Sequence, residues 1–159
     1  MATPSDEKRT DTASRVIKAA PRAIYQAFLD PDAVEFWRPP QGMTAEIYAF
    51  DPREGGEYRM AFVYSAADHT APGKSSDHSD VVHGRFVELL PDTRIVEHVE
   101  FESGNPAFAG TMTITTTFVL VPGGTEVTFV CENVPAGIRP EDHQEGMAST
   151  LQNLAAFLE

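Results

Sequence analysis

Two histidines, an arginine and a glutamate lie in two neighbouring runs of the sequence, residues 81–90 and 94–101. The four residues are His83, Arg85, His98 and Glu100. If residues 90–93 form a turn, Arg85 lies opposite His98. In the same register His83 lies opposite Glu100, so all four side chains share one face of a hairpin. This cluster suits acid–base chemistry or the binding of a ligand carboxylate. The alternative is a solvated outer face with a His–Glu ion pair.

The opposite face of this hairpin is the more apolar one, and it is predicted to turn inward. Its apolar members are Val82, Phe86, Ile95, Val99 and Phe101. Glu88 and Glu97 share that face. An unpaired carboxylate is costly to bury, so we expect at least one of them to lie near an edge or to pair with a cation. The inward turn of the apolar face favours the solvated interpretation of the polar cluster.

Other residues that often carry chemistry occur here without a supporting pattern. Cys131 lies within a predicted strand, where a buried thiol is usually inert. His69 and His78 lie in a polar loop among aspartates, but their spacing matches no known metal-ligand set. His143, in the first turn of the last predicted helix, is expected to be exposed. The chain has neither a Gly-x-Ser-x-Gly motif nor a phosphate-binding glycine loop. We therefore expect no catalytic residue, metal or cofactor.

Apolar periodicity and turn residues predict the elements that position these side chains. Residues 13–19 are predicted to form a strand, and Pro21 and Pro31 each suit the first position of a short helix. Pro39-Pro40 ends the second of these helices. Six more strands are predicted at residues 44–50, 57–64, 81–90, 94–101, 110–121 and 125–134, with hairpins across Pro91-Asp92 and Gly123-Gly124. Residues 65–79 are predicted to form an exposed loop.

A longer helix is predicted to follow Pro140 to the end of the chain. Met147, Leu151, Leu154 and Leu158 recur at spacings of 4, 3 and 4 residues and form one apolar stripe. An apolar helical stripe and an apolar sheet face must bury each other. The fold class is therefore α+β, with the helix lying across an antiparallel sheet.

An aromatic face is predicted on the strand at residues 57–64. Tyr58, Met60, Phe62 and Tyr64 alternate with the other residues of that strand and point to one side. Large apolar side chains with two polar tips suit a ligand pocket. Packing of the same face against the terminal helix as ordinary core is the alternative. Trp37, the single tryptophan, has the same two interpretations: cavity wall or core plug.

The order of these elements and four local segments resemble the START-like (SRPBCC, birch-pollen-allergen-like) superfamily, and within it the branch named for activators of the Hsp90 ATPase. The segments are 15–21 (RVIKAAP) with 24–28 (IYQAF), 36–39 (FWRP), 51–56 (DPREGG), and 83–89 (HGRFVEL) followed by Pro91. With the terminal helix, they cover nearly the whole chain from about residue 13.

This resemblance implies a helix-grip fold, in which a curved antiparallel sheet of six to seven strands wraps a long C-terminal helix. It also implies a cavity between sheet and helix that often holds an apolar molecule, with Trp37 near the cavity entrance. Activities in the superfamily range from carriers to cyclases to co-chaperone domains, so the fold does not fix the function. The loop at residues 66–79 is longer than the family pattern, and as a lid it would alter specificity.

Composition and charge narrow the partner classes. The 159 residues carry a formal net charge of −12, which disfavours nucleic acid and anionic membrane surfaces as partners. The single cysteine fits a reducing compartment, and a polar N-terminus resembles no signal peptide, so we expect a cytoplasmic protein. Residues 1–12 are predicted to be a disordered lead-in, and residues 13–159 a single domain.

The favoured function is a non-enzymatic domain that binds a small apolar or aromatic molecule. The predicted ligand-binding residues are Trp37, Tyr58, Met60, Phe62, Tyr64, Phe118, Phe129, Met147 and Leu151. Phe118 and Phe129 depend on strand register, since a slip of one residue reverses every face. An enzyme of the cyclase or hydrolase kind using the same cavity is one alternative, and a co-chaperone-like protein-interaction module is another. Pairing into a homodimer stays open.

Overall fold

The computed structural model describes residues 9–40, 42–64 and 79–159, and within them the chain forms an antiparallel sheet of seven strands and three α-helices. The elements are β1 (Arg9–Ile17), α1 (Pro21–Phe28), α2 (Pro31–Trp37), β2 (Met43–Phe50), β3 (Glu57–Tyr64), β4 (Ser79–Leu90), β5 (Arg94–Phe101), a 3₁₀ turn (Pro106–Phe108), β6 (Met112–Val121), β7 (Gly124–Val134) and α3 (Pro140–Leu158). The strand order is β1-β7-β6-β5-β4-β3-β2. This confirms the predicted α+β helix-grip architecture.

The first strand begins earlier than predicted. It starts at Arg9 and ends at Ile17, so residues 9–12 belong to the sheet and not to a disordered lead-in. Pairing with β7, from Arg9 opposite Val134 to Ile17 opposite Thr125, holds these residues in place. Residues 9–12 are polar, and so no apolar pattern in the sequence predicts this part of the strand. Residues 1–8 lie outside the described residues.

Prolines and one capping aspartate set the two short helices. Pro21 and Pro31 occupy the first turns of α1 and α2, where a missing N–H costs no helical hydrogen bond. The Asp30 side chain accepts a hydrogen bond of 3.0 Å from the Asp32 amide and caps α2. Asp30 therefore separates the helices and starts the second, which places Trp37 and Arg38 over the sheet.

The hairpin of β4 and β5 has the predicted register. Arg85 pairs with His98, and His83 pairs with Glu100. Arg85, His98 and Glu100 are exposed and His83 is half-buried, so the polar cluster forms a largely solvated outer face. The ion-pair partner of His83 is not the cross-strand residue Glu100. His83 Nε2 instead lies 3.0 Å from Oε1 of Glu57 on β3.

A β-bulge in β4 corrects the prediction that Glu88 shares the inner face with Glu97. The register shifts between Phe86 and Glu88, which inserts Val87 as an extra residue. Beyond the bulge Glu88 faces outward and forms an ion pair with Arg94, while Leu89 turns inward opposite Ile95. Glu97 stays on the inner face and is buried.

The core lies between the sheet, α1, α2 and the second half of α3. Met147, Leu151 and Leu154 of the predicted stripe are buried, together with Ala155, and Leu158 is half-buried. The helix α3 that carries this stripe contacts β1 and α2, and the buried members of the stripe belong to the same core cluster as the inner faces of the strands. Within the described ranges, no helix is both long and apolar enough to cross a bilayer.

Replacement of Leu151 by alanine tests this helix-on-sheet packing. Leu151 is 1% exposed, so Leu151→Ala leaves a cavity and should lower the free energy of unfolding by about 2–5 kcal/mol. Urea denaturation gives the value. Gln152→Ala, at the exposed neighbouring position, should change it by less than about 0.5 kcal/mol. A similarly small loss for Leu151→Ala would contradict the packing.

Candidate functional site

A cavity of about 920 Å³ lies between the inner face of the sheet and the first half of α3. The end of α2 and the segment around Ile138 close two of its sides, and the described residues enclose it only in part. Its wall is mostly apolar and includes Phe28, Trp37, Phe62, Val99, Met112, Ile114, Phe129 and Met147. The predicted space between sheet and helix therefore exists and has the size of a small-molecule pocket.

Four of the nine predicted ligand-binding residues line this cavity: Trp37, Phe62, Phe129 and Met147. Four others are buried but do not line it: Tyr58, Met60, Phe118 and Leu151. The side chain of Tyr64 lies outside the described residues. The predicted residues of β3, β6 and β7 that the structure describes thus point to the inner face of the sheet. Which of them line the cavity depends on their position along the strand.

The buried residues that miss the cavity pack behind its wall. Phe118 packs edge-on against Tyr25 and Phe28 of α1, with ring centroids 6.2 and 5.5 Å apart. The Tyr58 ring crosses the face of Gly84, where any Cβ would clash with it. Gly84 therefore lets the Tyr58 hydroxyl reach across β4 to Glu97 on β5.

Trp37 joins α2 to α1 and also forms part of the cavity wall. Its indole Nε1 donates a hydrogen bond of 2.9 Å to the Ala27 carbonyl, and its ring lies 4.4 Å from that of Phe28. It is 1% exposed. The core-plug and cavity-wall interpretations therefore both describe Trp37, because the cavity is an unfilled part of the core.

A buried ion pair forms the polar end of the cavity. Arg38 Nη1 donates to Glu97 Oε1 at 3.0 Å, and the Tyr58 hydroxyl donates to the same oxygen at 2.7 Å. Arg38 Nη2 also donates to the Tyr58 oxygen at 3.2 Å. Arg38 and Glu97 both line the cavity, and their side chains are 14% and 1% exposed. The three groups satisfy one another where water has little access.

The surroundings of this triad keep Arg38 charged and Tyr58 protonated. Burial alone would lower the pKa of Arg38, but the Glu97 carboxylate and the Tyr58 oxygen outweigh it and raise that pKa. Burial raises the pKa of Tyr58 well above its ordinary value; Arg38 opposes this effect and Glu97 adds to it. Arg38 is therefore held as a cation, and Glu97 Oε1 accepts hydrogen bonds from both Arg38 and Tyr58.

The apolar face predicted from the sequence required an edge position or a cation partner for at least one of Glu88 and Glu97. Glu97 has such a partner, but nothing in the sequence identified it as Arg38, 59 residues away. Arg38 directly follows Trp37 at the end of α2, and α3 fixes its backbone. Thr150 Oγ1 donates to the Arg38 carbonyl at 3.1 Å, and Asn153 Nδ2 donates to the Pro39 carbonyl at 2.9 Å.

A second polar cluster joins β1 to α3 at the rim of the cavity. His143, predicted to be exposed, is half-buried, and its Nδ1 lies 2.7 Å from Asp11 Oδ2. Arg9 Nε donates to both oxygens of the same carboxylate, at 3.0 and 2.9 Å. Burial alone would raise the pKa of Asp11, but the bonds with His143 and Arg9 together lower it. The early start of β1 is what brings Asp11 to His143.

Cys131 and the histidines give no metal or nucleophile site among the described residues. Burial raises the pKa of Cys131 to about 12, so its thiol stays protonated, and its Sγ lies 3.9 Å from Met147 Sδ. No group of three or more His, Cys, Asp or Glu side chains in the described ranges could hold a metal ion. His69 and His78 lie outside those ranges.

Comparison with known proteins identifies the family. The family model described as "Activator of Hsp90 ATPase homolog 1-like protein" matches residues 18–159. The chain belongs to this family. No curated protein sequence matches it at a significant level.

Solved structures show the same fold for this Hsp90-activator-like domain. It is similar to a protein from Chromobacterium violaceum, with 33% identity over 95% of this chain and 98% of the other, and a TM-score of 0.81. It also shares its fold with an AHSA1-like protein from Aeromonas hydrophila, with 17% identity, coverage of 94% and 91%, and a TM-score of 0.69. In the Hsp90-activator-like domain described here, the segment at residues 36–39 supplies both Trp37 and Arg38.

Removal of Arg38 should be costly, because it leaves the Glu97 carboxylate buried without its cation. We expect Arg38→Met to lower the free energy of unfolding by about 3–5 kcal/mol. Chemical denaturation is the measurement. Arg94→Met, which breaks the more exposed ion pair with Glu88, is the matched control and should have a much smaller effect. Equal losses in the two variants would contradict a buried role for Arg38.

The hydrogen bonds of Asp11 with His143 and Arg9 should make the free energy of unfolding decrease as the pH falls. Because the folded-state pKa of Asp11 is lowered, its stabilisation is complete above the ordinary carboxyl pKa of about 3.9 and is lost as the pH falls through the folded value. The stability difference between wild type and Asp11→Asn should therefore be largest near neutral pH and shrink in acid. Asp92→Asn, in an exposed turn, should show no such trend in thermal unfolding at pH 3 to 7.

Proposed function

We propose that this domain binds a small, mostly apolar molecule in the cavity beneath α3. The observation that carries the proposal is the cavity itself. Its volume of about 920 Å³ lies within the range of small-molecule sites, about 300–1,000 Å³, and its wall combines aromatic and aliphatic side chains with a few polar groups.

The ligand contacts that we propose follow the geometry of the wall. Trp37, Phe62, Phe129 and Met147 would contact the ligand directly. Tyr58, Met60, Phe118 and Leu151 would support these contacts from behind the wall. Phe129 lines the cavity together with Met147 on α3 and Phe28 on α1, and the ring centroids of Phe28 and Phe129 are 6.4 Å apart. This arrangement supports a flat or elongated apolar ligand lying between the sheet and the helix.

Binding without catalysis is the interpretation that the polar groups support best. Glu97 is held by Arg38 and Tyr58, and Asp11 is held by His143 and Arg9. Carboxylates fixed in this way suit orientation of a ligand more than proton transfer. Among the described residues, no comparable observation favours a cyclase, a hydrolase or a co-chaperone surface.

Location and self-association belong to the same proposal. A free buried thiol at Cys131 supports a reducing, cytoplasmic environment. β1 and β2 are the two edges of the sheet, where a second copy of the chain would pair. Native mass spectrometry reports such a dimer in the same experiment that detects a bound ligand.

The direct test of function is native mass spectrometry of the purified protein, followed by a thermal-shift screen of apolar acids, sterols and aromatic polyketides. We expect a co-purified small molecule or a reproducible rise in melting temperature, since a ligand that binds the native state stabilises it. A bare protein that no compound stabilises would overturn the proposal.

A variant at Gly146 tests whether the cavity is the binding site. Gly146 lines the cavity, and a Cβ added there meets no atom within 4 Å. Gly146→Leu should therefore occupy the cavity and weaken binding of N-phenyl-1-naphthylamine, a neutral fluorophore, at least 10-fold. The fold should persist, because leucine is a better helix former than glycine by nearly 1 kcal/mol.

The matched control adds the same side chain on the exposed face of the same helix. Ala156→Leu lies outside the cavity wall, and fluorophore titration should give it the wild-type Kd. Unchanged affinity in Gly146→Leu would place the binding site elsewhere.

A further inference from the structure

Thr116 places a hydroxyl without a hydrogen-bond partner in the cavity wall. The residue is 1% exposed and lines the cavity on the inner face of β6. Among the described residues, no group donates to its Oγ1 or accepts from it. Its cross-strand neighbours are Ile95 on β5 and Phe129 on β7, which have no polar side-chain atoms. Buried hydroxyls in folded proteins are nearly always paired, so this one calls for a physical explanation.

Glu97 lies on the same wall. The hydrogen bonds that Arg38 and Tyr58 donate to it both go to Oε1, so Oε2 is the carboxylate oxygen that neither of these two donors uses. Glu97 pairs with Ile114, two residues before Thr116 on β6, so Glu97 and Thr116 are diagonal neighbours. Such neighbours lie about 7–8 Å apart, a distance that a single polar atom between two side chains can bridge.

We propose that the ligand of this cavity carries a hydroxyl group, alcoholic or phenolic, which accepts a hydrogen bond from Thr116 and donates one to Glu97 Oε2. This inference rests on the proposed function and adds the chemical class of the ligand. The Thr116 oxygen is buried in the unliganded protein, and the proposed contact requires a rotation about χ1 that turns the hydroxyl toward the cavity. A hydroxyl is the smallest group that both accepts and donates, as the two side chains require.

The charges of the wall favour this neutral group over a carboxylate. Arg38, the cation nearest to Glu97, is already neutralised by it, and Arg139 at the rim is paired with Glu141. Asp142 and Glu145 add negative charge to the rim. A ligand carboxylate would bring a second negative charge beside Glu97 with no free cation among the described wall residues to balance it.

The test compares two ligands of equal size on two variants by isothermal titration calorimetry. 2-Naphthol and 2-methylnaphthalene differ only by a hydroxyl in place of a methyl group. Thr116→Val replaces the hydroxyl by a methyl group on the protein, and Thr117→Val makes the same change on the outer face of β6 as the control. The ratio of the two Kd values, compared between variants, cancels the different hydrophobicity of the ligands.

We expect Thr116→Val to weaken 2-naphthol relative to 2-methylnaphthalene by roughly 3- to 10-fold, the size of one net hydrogen bond. Thr117→Val should leave the ratio unchanged. The unliganded Thr116→Val protein should melt at the wild-type temperature or above it, because the substitution removes an unpaired buried hydroxyl. A merely structural threonine would instead lower the melting temperature and leave ligand selectivity unchanged.

The outcomes separate this inference from the function on which it rests. If both naphthalenes bind and Thr116→Val leaves their Kd ratio unchanged, the hydroxyl assignment is wrong and the cavity remains a binding site. A clear drop in the melting temperature of unliganded Thr116→Val also overturns the assignment. If neither compound binds the wild-type protein, while Gly146→Leu and wild type also bind the fluorophore equally, the proposed function fails as well.

Discussion

The ion pair between Arg38 and Glu97 is the contact on which the arrangement of helices over the sheet depends. It crosses the core from the end of α2 to the centre of β5, and the Tyr58 hydroxyl on β3 completes it. Two opposite charges removed from water are tolerated only when each satisfies the other. This requirement fixes the position of α2, and with it the place of Trp37 above the inner face of the sheet. The same pair supplies two buried charged groups of the cavity wall.

The cavity persists because α3 packs tightly at one end only. Its second half buries Leu151, Leu154 and Ala155 in the core, and α3 contacts β1 and α2. Its first half lines the cavity with Met147 and with Gly146, which has no side chain to fill the space. Protein interiors are otherwise close-packed, so a space of this size beside a well-filled core reflects the distribution of side-chain volume along one helix. A long helix on a curved sheet thus provides both the core and the pocket.

The sequence predicted the elements well and the cavity wall only in part, for one physical reason. Periodicity reports the face on which a side chain lies, and the inner faces of β3, β6 and β7 were predicted correctly. Periodicity does not show where along a strand the cavity begins. Phe62 and Phe129 line the cavity, whereas Met60 and Phe118, on the same faces of the same kind of strand, pack in the core behind it. Periodicity also does not reveal a bulge, and the extra residue Val87 turned Glu88 outward. Arg38 and Glu97 meet only through tertiary structure, and no sequence pattern reveals such a pair.

Thr116 is the residue that bears most directly on the proposal that the cavity holds a ligand. Valine has nearly the same shape and would suit a site between Ile95 and Phe129 better, since an unpaired buried hydroxyl costs about 1–3 kcal/mol. That cost recurs in every unliganded molecule. A ligand present at 100 times its Kd stabilises the native state by about 2.7 kcal/mol, an amount of the same size. A residue that lowers the stability of the folded protein is expected mainly at positions where function requires it. The position of Thr116, diagonal to Glu97 in the cavity wall, fits the proposal that a bound ligand completes the stability of this fold.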